Sequence, residues 1–297
     1  MMNLFFEAES WEQAWQEHSE AAAAHRSRKG IDMTRSFDPK AQTFNEQSFS
    51  AEGRKRSARI LNWLESRGVD FDGASVLDIG AASGVFSVPF AERGAQVTSV
   101  ETSPPQAELL KANTAHFTEN PVQVVSQPFE RIDLNAQSWN RAFDFVFASM
   151  CPVVDNWASV EKILSCARDF CYISLPINYS EHSLAEEVWP LLNGNSFIPK
   201  PMEDMGYLLH LLYLKGCSYE TLVTRETKTV ELSTDEALLE LREWLRAHGL
   251  PDDKWDRGIV EDYLQQTYPS GTVTVNQGGR FGKVLIRLKE QNMYVAE

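Results

Sequence analysis

The chain has little cysteine and no cysteine pattern. Cys151, Cys166, Cys171 and Cys217 are its four cysteines, none of them in a CxxC pair. No histidine cluster lies at zinc spacing, and no metal ligand set is legible anywhere. A zinc ribbon and a thioredoxin-like redox motif are thereby excluded. The cysteines read as reduced thiols of a cytoplasmic protein. Long apolar runs are missing too. No segment reaches about 18 uninterrupted apolar residues, so no membrane-spanning helix is expected. The start, MMNLFFEAES, lacks a basic n-region and a long apolar core, so it does not read as a signal peptide. There is no internal repeat and no low-complexity segment. Positive charge is scarce: 28 Lys and Arg stand against 42 Asp and Glu, a formal net charge of −14. A field of that sign repels phosphate backbones and anionic lipid, which disfavours nucleic acid and membrane partners. The basic clusters HRSRKG (His25–Gly30) and GRKRSAR (Gly53–Arg59) are expected on solvated helix faces.

What is present is an ordinary globular composition. Of 297 residues, 43% are apolar and 24% charged, enough for a large core in one elaborated domain or two smaller ones. Residues 1–70 read as a helical N-terminal cap. SWEQAWQEHSEAAAAHR is rich in helix formers, with Trp11 and Trp15 one turn apart on a shared face. That face is expected to pack on its own core or on a second copy, as a homodimer. FDPKAQTFNEQSF reads as a looser linker. SAEGRKRSARILNWLESRG carries Ala58, Ile60, Leu61 and Leu64 at helical spacing, with Gly68 as C-cap.

From residue 71 the pattern alternates. Strands are expected at 75–80, 96–101, 122–127, 143–150 and 170–176, with helices at 84–93, 105–117 and 155–167 between them. The strands are nearly continuous apolar runs, as in a parallel sheet buried on both faces. The alternation argues for an open α/β sheet with right-handed crossovers. Further on, AEEVWPLL and GYLLHLLYLKG look helical, and SYETLVTRETKTVELS looks like a strand or a bent strand pair. TDEALLELREWLRAHGL is the best-signalled helix, and GIVEDYLQQTY is a shorter one. NQGGRFGK (276–283) reads as a turn into a last strand, KVLIRLKE (283–290).

The chemistry concentrates in SVLDIGAASGVFSVPFAERGAQVTSVE (75–101). An apolar strand meets Asp78 and then the small-residue turn GAASG. In an open α/β sheet, ligands bind beyond the carboxyl ends of the strands, where strand order reverses. Gly80 and Gly84 let a ligand approach closely, and a helix beginning near Gly84 would present free N–H groups. A dinucleotide site would want G-x-G-x-x-G with a pyrophosphate on the helix N-terminus. Here the middle Gly is missing, and Asp78 adds a negative charge at the mouth that repels a pyrophosphate but not a cation. Glu101 closes the second strand, where a carboxylate can accept both ribose hydroxyls.

VLDIGAASGVF with VTSVETS resembles the S-adenosylmethionine site of class I methyltransferases, over roughly residues 70 to 180. KVLIRLKE resembles the family's antiparallel last strand. Ala82 stands where the family pattern has a central glycine. The resemblance implies a Rossmann-like, mostly parallel seven-stranded sheet with an antiparallel last strand in residues 71–297. To this α/β core are added the helical cap and cap-type insertions at about 178–216 and 234–268, the second a C-terminal helical insertion. It implies S-adenosylmethionine as cofactor and S-adenosylhomocysteine as product. Asp78, Gly80, Ala81 and Gly84 would line the methionine and ribose part. Glu101 would accept the ribose hydroxyls, with Thr102 and Ser103 beside the adenine. Gln127 would meet the adenine amino group through its carbonyl oxygen. Phe129 would pack on the purine or serve as a core aromatic.

The acceptor is expected near the end of the fourth strand, FASMCPVVDNW. The (Asn/Asp)-Pro-Pro-(Tyr/Phe) motif of amino-methylating DNA and glutamine enzymes is reduced there to Ser149-Met150-Cys151-Pro152. Cytosine-C5 enzymes have Pro-Cys where this chain has Cys-Pro, and no Lys, Arg or His adjoins Cys151 to activate it. Ser149 and Cys151 are expected to face the pocket. Candidate bases are His182, Asp155 and His210, the last in an apolar helix that suits a core histidine. Methyl transfer itself depends mainly on alignment, and a base matters only for acceptors protonated at working pH. Aromatics in the cap and the first insertion (Trp11, Trp15, Phe37, Phe44, Tyr179, Trp189, Phe197, Tyr207) suggest an enclosed pocket for a small-molecule acceptor. The alternatives are methylation of a protein side chain, or a cofactor-binding protein that transfers nothing. An NAD-linked enzyme is disfavoured by the missing glycine.

Overall fold

A computed structural model of the chain describes residues 6–28, 30, 32, 35, 38–177, 180–198 and 202–289. Phe37 and Tyr179, two of the expected cap aromatics, lie outside the described residues. The helices are α1 (Ala8–Arg28), α2 (Ala41–Phe49), α3 (Ala51–Glu65), α4 (Ser87–Ala91), α5 (Pro104–Thr114), α6 (Trp157–Cys166), α7 (Ser183–Asn193), α8 (Asp204–Leu214), α9 (Thr234–Ala247) and α10 (Arg257–Thr267). The strands are β1 (Ser75–Ile79), β2 (Gln96–Val100), β3 (Gln123–Val125), β4 (Phe143–Ser149), β5 (Ala167–Pro176), β6 (Glu181–His182), β7 (Ser218–Ser233) and β8 (Thr272–Arg287). Contacts divide the chain into two compact units: Met1–Leu175 with Asp204–Leu222 and Lys283–Glu297, and Pro176–Glu203 with Val223–Gly282. Among the described residues, no helix is long and apolar enough to cross a membrane.

The first unit holds β1 to β4, nearly all of β5, the Ser218–Leu222 start of β7, the Lys283–Arg287 end of β8, and helices α1 to α6 and α8. Strands β3, β2, β1, β4 and β5 lie side by side and parallel, and β8 follows β5. The last strands are antiparallel, with β7 paired to β8. The mostly parallel α/β sheet with antiparallel last strands is as expected, with the two-residue β6 added to the expected seven strands. Strand order reverses between β2–β1 and β1–β4, so a ligand crevice belongs at the carboxyl ends of β1, β2 and β4. Central strands are apolar on both faces because helices cover both. Val76, Leu77, Phe145, Val146 and Phe147 are buried. Phe147 stacks on Tyr172 at 4.6 Å, and Phe90 meets Phe145 edge-on at 5.8 Å. Leu61 and Leu64 of α3 join this same core, which ties the third N-terminal helix to the sheet.

The tryptophan face of α1 packs within this unit. Trp15 donates its indole N–H to Asp204 at 2.8 Å and stacks on Tyr207, while Trp11 lies 4.3 Å from the ring of His210. His210 is therefore an aromatic packing partner in α8. Two expectations are corrected here. The segment read as a linker contains α2, whose partners are α3 and α5. The helix expected over 84–93 is regular only over Ser87–Ala91.

The second unit packs α7, α9 and α10 on the inner faces of β7 and β8, around Leu184, Val188, Leu241, Leu245, Val260 and Leu264. Trp189 and Phe197 belong to an aromatic group here with Trp244 and His248. α9 carries a capping box: Ser233 accepts from Glu236 N–H, and the Glu236 carboxylate accepts from Ser233 N–H. The expected glycine turn at 276–283 is instead strand, inside β8. Gly278 is needed there because any Cβ would collide with the Glu226 carbonyl oxygen of β7.

His182 lies in this second unit as the N-cap of α7, its Nδ1 accepting from Ala185 N–H at 3.2 Å. Burial pushes its pKa below the ordinary 6.5, although Glu240, 3.5 Å away, pulls upward and His248 adds a push downward. A protonated ring has no acceptor left for the cap. The folded pKa is depressed, so stability is present above the unfolded value of 6.5 and declines as pH falls through it. His182→Asn keeps a capping acceptor without the titration. Thermal melts from about pH 7 to about pH 5 should therefore show a smaller loss for that variant than for the parent.

Candidate functional site

The turn after β1 docks on the end of β2. The N–H groups of Gly80 and Ala81 both donate to the Val100 carbonyl, at 2.9 and 3.1 Å. Gly80 and Gly84 have φ of 75° and 88°, the left-handed region that a Cβ disfavours. Their second reason for being glycine is packing. A Cβ on Gly80 would lie 2.7 Å from Cys151 Sγ, and one on Gly84 would lie 2.8 Å from Leu110 Cδ1 of α5. Gly80 thus lets the ends of β1 and β4 close up, and its outer face stays exposed. Gly80→Ala combines a left-handed penalty of about 1–2 kcal/mol with that clash. Denaturant unfolding should show a loss of at least about 2 kcal/mol. Ala82, where the resembled pattern has glycine, is itself left-handed at φ 49°. Its strain is offset by a bond to Glu101.

Glu101 follows β2 directly and is 9% exposed. Its Oε2 accepts from Ala82 N–H and its Oε1 from Ser103 N–H, each at 2.7 Å. Two backbone donors thus fix the carboxylate level with the turn. Each oxygen retains a further acceptor site. Ser103 caps α5, and Thr102 between them is half-buried.

Asp78 differs from expectation. Its carboxylate is buried, 2% exposed, and accepts from Ser87 Oγ at 2.6 Å; Ser87 Oγ lies 2.8 Å from Ser99 Oγ. Burial drives its pKa up to about 7, with the nearby Glu101 charge adding and the Ser87 bond opposing. The negative charge expected at the mouth of the site is therefore under the turn, and only part of it is present near neutral pH. Gly84 N–H donates to the Ala81 carbonyl at 2.9 Å, so the expected free helix N-terminus at Gly84 is absent.

On the β3 side, Gln127 is exposed. Its amide nitrogen donates to the Arg131 carbonyl at 3.1 Å, which leaves the amide oxygen as its acceptor. Phe129 is 1% exposed with the Lys162 ammonium 5.2 Å above its ring, the geometry of a core aromatic. At the end of β4, Ser149 Oγ lies 2.9 Å from Ser174 Oγ of β5. Met150 is left-handed, φ 54°, and 46% exposed. Cys151 is buried against Gly80, and burial pushes its thiol up to about 12, far from a thiolate nucleophile. Asp155 accepts from Ser19 of α1 at 3.1 Å and from Ser159 at 3.3 Å. Burial raises its pKa, and it anchors α1.

Gly80, Ala81, Gly84, Glu101, Thr102, Ser149 and Cys151 thus converge at the strand ends. Asp78 underlies them. Asp155 and His182 hold helices instead. The sequence reading missed Asp38, Asn45 and Asn113, which border this turn. Ser103 Oγ donates to Asp38 at 2.6 Å, and Asn113 donates to both Asn45 and the Ser83 carbonyl at 2.8 Å. Asp38 and Asn45 fall in the stretch read as linker, and no motif marks them.

A family model described as a methyltransferase domain matches residues 44–171, from α2 into β5. Over those 128 of its 297 residues the chain is similar to the methyltransferase-domain family. The cofactor of that family is S-adenosylmethionine. A ubiquinone biosynthesis O-methyltransferase of Xanthomonas oryzae pv. oryzae is 36% identical over 80 residues, which is 26% of this chain and 32% of that protein. The human EEF1A lysine methyltransferase 2 is 33% identical over 108 residues, 30% of this chain and 45% of that protein. The chain thus spans between about a third and just under half of the curated relatives it matches. Among solved structures, the magnesium protoporphyrin IX methyltransferase of Synechocystis PCC 6803 with bound SAM aligns at TM-score 0.42 and 15% identity. It covers 61% of this chain and 76% of that one.

Proposed function

We propose that the chain binds S-adenosylmethionine at the ends of β1, β2 and β4 and transfers its methyl group to a small-molecule acceptor by direct in-line displacement. One observation carries the reading. Glu101 is held by two backbone N–H groups beside the turn, with acceptor capacity to spare for two ribose hydroxyls. The other residues fit the same ligand. Gly80 is exposed at the end of β1, and Gln127 offers an amide oxygen to an adenine amino group.

When bound, the cofactor supplies an activated methyl and a good leaving group. The chain's own part is then alignment and exclusion of water. The half-buried Ser149, its hydroxyl held by the buried Ser174, is able to orient a polar acceptor beside Met150. Cys151 stays a neutral thiol and takes no covalent part. Asp155 is engaged with Ser19 and Ser159, so the acceptor supplies its own lone pair. The O-methyltransferase among the relatives supports a small acceptor, whereas the lysine methyltransferase favours a second reading, a protein side chain.

The experiment is transfer from S-adenosylmethionine carrying a labelled methyl group into a cell extract, separated by mass. Label in the low-mass fraction is the expected result. Label in protein alone would move the assignment to side-chain methylation. Cofactor binding with no transfer to either fraction would mean a non-catalytic binder.

A further inference from the structure

One face of α5 carries two residues that each bond in two directions. Ser103, at its start, donates its backbone N–H to Glu101 and its hydroxyl to Asp38, at 2.7 and 2.6 Å. Asn113, near its end, divides its amide hydrogens between Asn45 of α2 and the Ser83 carbonyl of the turn, both at 2.8 Å. The two residues are about 15 Å apart along the helix. Each joins the segment 38–49 to one of the two elements of the proposed cofactor site, the carboxylate and the turn. α2 packs on α5 and on α3. The hydroxyl bond to Asp38 is charge-assisted and short. Leu110, between them on the same face, fills the space that Gly84 leaves.

We propose that Ser103 and Asn113 are positioning residues that clasp the segment Asp38–Phe49 to the cofactor site, so that cofactor occupancy and docking of α2 favour each other. The proposal rests on the cofactor reading above. Coupling of this kind is reciprocal: what the ligand gives to α2, loss of α2 docking takes from the ligand. Ser103 and Asn113 need not touch the cofactor to act. They hold Glu101 and the turn in one geometry from the far side. Asp38 and Asn45 are therefore the informative positions, because they lie outside the turn and outside the sheet.

The test has two arms on the full chain, with S-adenosylhomocysteine as probe. In the first, hydrogen exchange of the parent is followed with and without the probe. Slower exchange over 41–49 on binding is expected. In the second, the Asp38→Ala/Asn45→Ala double variant is titrated by calorimetry. Its affinity should fall about tenfold, in the range of lost charge-assisted and amide hydrogen bonds. Asp38→Asn, which keeps an acceptor for the Ser103 hydroxyl, should restore most of the Asp38 share. A merely structural role for these residues would lower the melting temperature and leave the affinity of the folded variant unchanged. Parental affinity in the double variant, or exchange over 41–49 indifferent to the bound probe, overturns the clasp and leaves the cofactor reading standing. A parent that binds no probe overturns the cofactor reading, and the clasp with it. Should the double variant fail to fold, the exchange arm on the parent decides alone.

Discussion

Glu101→Ala is expected to weaken S-adenosylhomocysteine binding by roughly a hundredfold or more. Two effects combine. Two hydrogen bonds from ribose hydroxyls to a carboxylate are removed, each worth about 1.5–3 kcal/mol. The Ala82 and Ser103 N–H groups also lose their acceptor. Ala82 is left-handed at φ 49°, a conformation that an L residue keeps only when its surroundings fix it. Without Glu101 that support goes, and the floor of the site relaxes. Glu101→Gln is a poor rescue, because one oxygen becomes an NH2 group facing a backbone N–H. Titration calorimetry on both variants checks this, alongside thermal melts to show that each is folded. Unchanged affinity in a folded Glu101→Ala variant would remove the ribose role from this residue.

Asp78→Asn is expected to stabilise the protein at mildly alkaline pH. The folded-state pKa is about 7 against an ordinary 3.8, raised chiefly by burial. Between those values the native chain keeps a proton that the unfolded chain releases. The group's contribution is therefore fully present below pH about 4 and is lost as pH rises through about 7. At about 1.36 kcal/mol per pH unit over those ~3 units, the loss by about pH 8 is of order 4 kcal/mol. An asparagine keeps an acceptor for Ser87 and removes the charge beside Glu101. Melts of both proteins should coincide near pH 4 and diverge upward for the variant by several degrees near pH 8. A variant less stable than the parent at every pH would mean that the ionised carboxylate is an asset of the fold.

The sequence made the sheet legible where local pattern and tertiary environment agree. Strands β1 and β4 are nearly continuous apolar runs because helices bury both their faces. The turn and Glu101 follow from where those runs stop. Legibility ends where a residue's role depends on a partner distant in the chain. Asp78 is buried because Ser87 and Ser99 fold over it, and nothing at position 78 announces that. α2 has only a short apolar face, and its helix is completed by α3 and α5. The glycines at 278 and 279 resemble a turn, yet Gly278 answers to the close approach of the Glu226 carbonyl. His182 follows β5 as a catalytic histidine would, but its ring nitrogen caps a helix, a task usually given to Ser, Thr, Asp or Asn. Asp155 follows β4 in the same way and holds α1 through Ser19. Of the candidate cofactor residues, those at the strand ends were readable. All three candidate bases, His182, Asp155 and His210, are accounted for by packing that only the fold reveals.

The most direct measurement is isothermal titration of the purified chain with S-adenosylmethionine, S-adenosylhomocysteine and NAD in parallel. Micromolar binding of the first two and none of the third is the predicted result. Absence of binding by both sulfur compounds would contradict it, and would leave the GAASG turn and Glu101 as a structural corner of the sheet.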